Sequence, residues 1–225
     1  MAENTETGRD KWLGTWLQEV ATDTEARFLE AHEAREQTLR FSREVIRKSA
    51  NSIRATHRGE FDRAKELLAQ VGSLASEMEK VREAHPRVYY AGFVEDALKE
   101  FAEASVTLAL ARGSRPPTAD ELGMGAAPYV NGLAETVGEL RRSSLDSLRK
   151  DEFSRCEVIL DMMDEVYAVL VTMDFPEAVT GGLRRRTDAA RGILERTRGD
   201  ITLALRQHRL QEELARFQET VQKGK

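Results

Sequence analysis

The sequence predicts an all-α protein, an elongated bundle of about six to seven long helices. Charged residues make up 32% of the chain and aromatic residues 6%, and the five prolines and fifteen glycines are clustered. This composition is typical of long helices. The clustered breakers separate long segments in which apolar residues recur at helical spacing. No segment alternates apolar and polar residues over a useful length, so we expect no sheet.

Six helical segments follow from the positions of the breakers. They cover residues 11–57, 60–84, 87–112, 129–149, 152–173 and 183–220. Residues 1–10 are predicted to be a disordered tail and residues 113–128 a loop, so that 1–225 forms a single domain. The first helix is longer than a compact fold of this size can cover, and we expect its surplus to pack on other subunits.

Charge and cysteine content exclude several classes of protein. One cysteine, Cys156, rules out an internal disulfide framework and a cysteine-built zinc site, and fits a reducing, cytoplasmic location. No apolar run approaches the roughly 18 residues of a membrane span, so we expect no membrane partner. The net charge of −5 gives nucleic-acid binding no support unless basic residues are locally segregated.

Two helical segments each carry a narrow acidic stripe on a mainly apolar surface. In both segments the acidic residues stand at positions i, i+4 and i+7, which places them within an arc of about 60°. The two sets are Asp96, Glu100 and Glu103 in EDALKEFAEASVTLALA (95–111), and Glu157, Asp161 and Asp164 in DEFSRCEVILDMMDEVY (151–167).

Two interpretations of these stripes stay open. A helix that is apolar nearly all round is expected to be buried, and clustered buried carboxylates are costly unless they are paired or bound to a cation. Facing each other, the stripes would suit Mg²⁺ or Mn²⁺, which prefer oxygen ligands and can activate water against a phosphodiester. In the other interpretation each stripe is the solvated face of an amphipathic helix.

A short internal similarity supplies a control for the second stripe. GEFDRAKELL (59–68) resembles DEFSRCEVIL (151–160), and we interpret both as the same turn followed by a helix start. The first copy has Lys65, Ala69 and Gly72 where the second has its acidic residues. The turn and helix therefore form without an acidic stripe.

The first helical segment carries a stripe of the opposite sign. Five arginines lie within an arc of about 60°, with Val45, Ile46 and Ile53 on the other side. They are Arg40, Arg43, Arg47, Arg54 and Arg58. Such a stripe can contact phosphates while its apolar side packs, or it can pair with acidic residues such as Glu36 and Glu44.

Several segments resemble the translin family, which comprises translin and translin-associated factor X. They are SREVIRKSANSIRATHRGEF, DALKEFAEASVTLAL and DFPEAVTGGLRRRTDAARGILERTRGD. The resemblance covers residues 35–215 and is strongest to the prokaryotic, mainly archaeal members. It implies an all-helical fold, an octameric shell that encloses RNA, binding of single-stranded RNA or DNA, and, for factor X, Mg²⁺-dependent endoribonuclease activity.

The resemblance also implies site residues. Leu98–Ala104 matches the Leu-x-Glu-aromatic-x-Glu-Ala motif of factor X, so Glu100 and Glu103 inherit a catalytic, metal-binding role. The second acidic pair of factor X is an Asp followed four residues later by a Glu. An ungapped match to the fifth helical segment puts Ser154 and Val158 there, which cannot bind a metal. A small shift puts Glu157 and Asp161 there instead, with the same spacing.

The sequence thus predicts a Mg²⁺-dependent, or Mn²⁺-dependent, endoribonuclease that cleaves single-stranded RNA inside a hollow homo-oligomer. Glu100, Glu103, Glu157 and Asp161 would hold the metal and the arginine stripe would hold the RNA backbone. The alternative is a translin-like protein that binds single-stranded RNA or DNA without cleaving it. A purely structural helical oligomer is the third possibility.

Overall fold

The structure is a computed structural model that describes residues 6–223, with side chains for residues 12–222. In chain order its helices are α1 (Glu6–His57), α2 (Phe61–Glu79), α3 (Val81–Ala84), α4 (Pro86–Tyr89), α5 (Gly92–Ala111), α6 (Ala126–Leu148), α7 (Phe153–Leu170), α8 (Glu177–Thr180) and α9 (Leu183–Lys223). No strand occurs within residues 6–223. The predicted all-α fold is confirmed.

The predicted helices differ from the structure mainly at two interruptions. The segment 60–84 divides at Lys80, whose backbone stays right-handed (φ −60°, ψ −23°), so the chain bends there without a true break. The segment 87–112 divides at Ala91, which is extended (φ −77°, ψ 145°). This turn lets Tyr89 and Val94 reach the same apolar core. The local sequence offers only a weak signal, the poor helix former Gly92, because the main reason is tertiary packing.

The chain ends and the long loop also differ in detail. Helix α1 already begins at Glu6, inside the predicted 1–10 tail, and residues 1–5 lie outside the described part of the chain. The loop runs from residue 112 to 125, slightly earlier than the predicted 113–128. Within it Thr118 and Glu121 exchange two hydrogen bonds, from each backbone amide to the other side chain (2.7 and 3.2 Å), which stabilises the turn.

The two similar sequence segments do form the same turn. Gly59 and Asp151 both have left-handed backbones, with φ of 75° and 58°. The following residues, Glu60 and Glu152, have nearly identical dihedrals of −82°, 59° and −83°, 58°. Both turns satisfy the last carbonyls of the preceding helix with matching backbone hydrogen bonds of 2.9–3.1 Å.

Helix α6 packs against α5, α7 and α9, while α1 and α2 pack together against α5. One apolar core surrounds Val45, Met78 and Phe101, and a second surrounds Val137 and Met163. Helices α5 and α6 therefore meet between the two cores.

The outer ends of α1 and α9 leave large apolar side chains exposed. On α1 these include Trp12 and Phe28, and on α9 Leu210 and Phe217. The first helix therefore extends beyond the packed part of the fold, as predicted. Its packing on other subunits stays a prediction. None of the helices within residues 6–223 is both long enough and apolar enough to cross a membrane.

Candidate metal and nucleic-acid site

The site depends on an unusually close approach of α5 and α6. A Cβ atom added to Gly132 of α6 would lie 2.5 Å from the carbonyl oxygen of Lys99 and 2.9 Å from the amide nitrogen of Glu103. Only a residue without a side chain fits between these backbones. Glu135, which follows Gly132 by three residues on the same helix, is thereby brought over the acidic stripe of α5.

Three carboxylates meet at this contact. One oxygen from each of Glu100, Glu103 and Glu135 lies within 4.8 Å of the other two. Glu100 and Glu103 are the pair in the factor X-like motif. Glu135, from α6, completes the group, so the three carboxylates come from two helices.

Glu103 is the most deeply buried member of this group. Its residue surface is only 8% exposed, and its carboxylate has no hydrogen bond or ion pair with any side chain or backbone group of residues 12–222. Burial, followed by the charges of Glu100, Glu135 and Glu139, raises the pKa of Glu103 to about 8. A buried carboxylate beside two others is expected to have a cation as partner.

Two cationic side chains contact the group, and both contact Glu135. The Lys99 ammonium lies 2.8 and 2.9 Å from the two oxygens of Glu135 and 3.2 Å from Glu100. The Arg186 guanidinium lies 3.0 Å from Glu135 and also donates to the side chain of Asn131 (3.1 Å) and the carbonyl of Gly181 (3.0 Å). Glu135 and Glu100 are therefore partly neutralised by direct ion pairs, whereas Glu103 has no ion pair within residues 12–222.

Glu139 lies one turn beyond Glu135 and binds His57, the last residue of α1. The His57 side chain is almost fully buried. This contact ties the end of α1 to α6 next to the three carboxylates. Glu135 and Glu139 thus form an acidic pair with the i, i+4 spacing of the second pair in factor X.

The structure does not bring Glu157 and Asp161 into the group. Both are exposed on α7, whose buried face, including Cys156 and Met163, points toward α6 and α9. Asp164 pairs with Arg198 of α9, at 2.5 and 2.6 Å. The α7 stripe is thus a solvent-exposed face in this chain, and the metal-binding role of its members stays a prediction.

Sequence reasoning missed Glu135, Glu139 and the two basic residues around them. The signal was present, because Glu135 and Glu139 have the spacing that the resemblance requires. The acidic residues of the following helical segment are more conspicuous, because their background is apolar. The fourth helical segment is more polar overall, so its acidic pair does not stand out from the other charged residues.

The five arginines of the basic stripe are all exposed, four of them on α1 opposite Val45 and Ile53, and Arg58 in the turn directly after α1. Three have local partners: Arg47 pairs with Glu44, Arg54 with Asn51, and Arg58 with Glu60. Arg40 and Arg43 have no hydrogen bond or ion pair within residues 12–222. Ile46, expected on the packed side, is 37% exposed.

Comparison with known proteins places this arrangement in context. No protein-family model matches the chain. An uncharacterized protein of Methanocaldococcus jannaschii is 31% identical over 185 residues, which is 82% of each chain.

The structure of AfC3PO in complex with duplex RNA matches with a TM-score of 0.74 and 31% identity, over 82% of this chain and 95% of that one. A crystal structure of AfC3PO matches with the same TM-score and 30% identity, over 82% and 96%. Apo-NeC3PO, at 19% identity and a TM-score of 0.75 over 82% and 96%, shares the fold.

Proposed function

The chain belongs to the translin family, and we propose that it binds RNA and cleaves it with a divalent cation. The observation that carries the catalytic part is the group formed by Glu100, Glu103 and Glu135, in which Glu103 is buried without a partner. RNA binding is supported by the related AfC3PO, which has been solved with duplex RNA, and by the exposed arginine stripe of α1.

The residues of the group fit Mg²⁺ or Mn²⁺. All three donors are carboxylate oxygens, which hard cations prefer, and no histidine or cysteine belongs to the group. Glu103 and Glu100 would hold the ion from α5 and Glu135 from α6. When bound, such an ion supplies an activated water and neutralises charge on the phosphate. Gly132 keeps the two helices close enough for the three carboxylates to converge.

The flanking residues have separate tasks in this proposal. Arg186, fixed by Asn131 and Gly181, holds the Glu135 carboxylate in one orientation. Glu139 is held by His57 and adds negative charge one turn away. Arg40 and Arg43, which form no hydrogen bond or ion pair within residues 12–222, are available for the phosphate backbone of the RNA.

The first experiment is cleavage of a labelled RNA in Mg²⁺ or in EDTA. A single strand and a duplex of the same sequence are compared, because the sequence predicts a single-stranded substrate whereas AfC3PO has been solved with a duplex. We expect Mg²⁺-dependent cleavage, and a loss of at least about 100-fold for Glu100→Gln/Glu103→Gln, since both ligands then lose their charge. Undiminished Mg²⁺-dependent cleavage by this variant would refute the catalytic proposal.

Two further variants decide between the candidate second pairs. Glu135→Gln is expected to lower RNA cleavage strongly. Loss of cleavage in Glu157→Gln/Asp161→Asn would instead mean that the α7 pair contributes to the site of a neighbouring subunit. Glu165→Gln, which changes another exposed acid of α7, is the control for loss of surface charge. RNA binding by the wild type without any cleavage would support the alternative, a non-catalytic binding protein for single-stranded RNA or DNA.

The role of the arginine stripe is tested by the salt dependence of RNA binding. Each phosphate contact contributes about 0.7–0.9 to the slope of log K against log salt concentration. Arg40→Ala/Arg43→Ala is therefore expected to reduce that slope by about 1–2. The control is Arg63→Ala/Arg191→Ala, which removes two exposed arginines that have local acidic partners. An equal change in both variants would argue against specific phosphate contacts by the stripe.

A hollow homo-oligomer, an octamer by resemblance, completes the proposal. The exposed apolar side chains at the ends of α1 and α9 support association of the chain with other copies. Light scattering is expected to give the mass of eight chains of 25.3 kDa. A monomer at micromolar concentration would contradict this part of the proposal.

A further inference from the structure

Lys99 occupies an unusual place in the acidic group. It stands at the first variable position of the Leu-x-Glu-aromatic-x-Glu-Ala motif, and its side chain is only 13% exposed. Its ammonium lies within 3.2 Å of Glu100 and within 2.9 Å of both oxygens of Glu135. A single positive charge thus bridges two of the three carboxylates from inside the site.

The two cations of the site are held differently. Arg186 has neutral anchors, the Asn131 side chain and the Gly181 carbonyl, in addition to Glu135. Among residues 12–222 the hydrogen-bond and ion-pair partners of the Lys99 ammonium are the carboxylates of Glu100 and Glu135 alone. The geometry of Lys99 is therefore that of a cation bound by the acidic group, while Glu103 forms no ion pair with either cation and is affected by Lys99 only through its charge.

The formal charges indicate how many divalent ions the site can hold. With Glu100, Glu103 and Glu135 ionised, Lys99 and Arg186 reduce the summed charge of these five residues from −3 to −1; Glu139, which is paired with His57, is not included in this sum. One divalent cation brings it to +1, which matches the single negative charge of a phosphodiester. A second would bring it to +3 and would have to approach the Lys99 ammonium at a few ångströms, where like charges repel strongly in a partly buried site.

We propose that Lys99 takes the place of a second divalent cation, so that each chain binds one metal ion. This inference rests on the proposed metal site at the same group. In it Glu103 and Glu100 are the principal ligands, and Lys99 holds Glu135 and supplies the positive charge that a second ion supplies in two-metal nucleases. Lys99 is thus a residue that sets the metal stoichiometry.

The test is titration of the purified full chain with Mn²⁺ in the absence of RNA, by calorimetry and by electron paramagnetic resonance of free Mn²⁺. The wild type is expected to bind one Mn²⁺ per chain. Lys99→Met, which keeps an unbranched side chain one atom shorter and removes the charge, is expected to bind two. The first of these is expected to bind at least about tenfold more tightly than the single ion of the wild type, because the like charge is gone. Lys99→Arg keeps the charge and is expected to retain one ion per chain.

A matched control separates this effect from general surface charge. Lys65→Met removes an exposed lysine of α2 and is expected to leave the Mn²⁺ stoichiometry and affinity unchanged. Circular dichroism verifies that the variants are folded, and Lys99→Gln replaces Lys99→Met if the latter is not. Lys99→Gln is also expected to bind two ions.

The outcomes distinguish failure of this inference from failure of the proposed function. Two Mn²⁺ per wild-type chain, or a stoichiometry of one that Lys99→Met and Lys99→Gln leave unchanged, would overturn the role of Lys99 while preserving the metal site. Absence of Mn²⁺ binding in the wild type and in all Lys99 variants would overturn both proposals together. One ion in the wild type and two in Lys99→Met would support both.

Discussion

The two acidic stripes of this chain have the same spacing and opposite environments. Asp96, Glu100 and Glu103 of α5 and Glu157, Asp161 and Asp164 of α7 both stand at i, i+4 and i+7 on mainly apolar helices. In α5 the stripe runs from the exposed Asp96 into a buried end at Glu103, where α6 lies against it. In α7 the stripe faces solvent, and its last member pairs with Arg198.

The difference comes from the neighbouring helix and not from the stripe itself. Gly132 allows the backbone of α6 to touch that of α5, and Glu135 arrives with it. Along the stripe of α7 no such contact forms, because α7 uses its opposite face to pack on α6 and α9. Periodicity shows which residues share a face, but whether that face is buried depends on what packs on it.

The largest expected difference between the two stripes is in the pH dependence of stability. The folded-state pKa of Glu103, about 8, lies above the value of 4.5 for a free glutamate. Between these values the folded chain keeps a proton that the unfolded chain has lost, so stability falls as the pH rises from about 5 to 8. Glu103→Gln is therefore expected to be more stable than the wild type at pH 9 by on the order of 3 kcal/mol.

Thermal unfolding of metal-free protein at matched concentration measures this effect at pH 5, 7 and 9. Glu157→Gln is the control from the exposed stripe and is expected to follow the wild type at all three values. If Glu103→Gln and Glu157→Gln showed the same pH dependence, the two stripes would not differ in burial as the structure describes.

The next largest effect on stability is expected at Gly132, where the backbones of α5 and α6 approach each other and bury one stripe. Gly132→Ala places a Cβ atom against backbone atoms of α5 and is expected to cost about 1–3 kcal/mol by overpacking. Gly138→Ala, on the same helix, meets nothing within 4 Å and is expected to stabilise α6 by up to about 1 kcal/mol. Urea unfolding compares the two variants.

The affinity for Mn²⁺ provides a second comparison of Gly132→Ala with Gly138→Ala. Separating α5 and α6 moves Glu135 away from Glu100 and Glu103, so Gly132→Ala is expected to bind Mn²⁺ more weakly than Gly138→Ala. Equal stability and equal affinity in the two variants would mean that the close approach at Gly132 does not assemble the site.

The smallest effect is expected at the paired end of the exposed stripe. Asp164 and Arg198 are both about half exposed, and ion pairs of this kind contribute 0–1 kcal/mol. Asp164→Asn is therefore expected to lower the free energy of unfolding by less than about 1 kcal/mol, and less still at high salt. A loss well above that value would place this pair among the interactions that hold α7 to α9.

Much of the fold could be predicted because it depends on local patterns. Helical spacing of apolar residues and the clustered breakers located the six long helical segments. The repeated turn at Gly59 and Asp151 was visible in sequence because both copies use the same short-range hydrogen bonds. The interruption at Ala91 was not visible, since it serves packing of Tyr89 and Val94 in one core.

The candidate site was only partly predictable. Glu100 and Glu103 came from a motif within one helix, where fixed spacing places both side chains on one face. Glu135, Lys99 and Arg186 could not be assembled from spacing, because α5, α6 and α9 are brought together only by packing. The choice of α7 for the second acidic pair illustrates the same limit, since a stripe does not show which helix covers it.

By itself the sequence determined the all-helical class, the long helices, the resemblance to the translin family and the acidic pair of α5. These depend on residue spacing within single helices and on local turn chemistry. The identity of Glu135 as the third carboxylate, its pairing with Lys99 and Arg186, and the exposure of the α7 stripe all depend on how the helices pack. The physical reason is that charge and burial at a site depend on distances between helices, which the pattern along one helix does not contain.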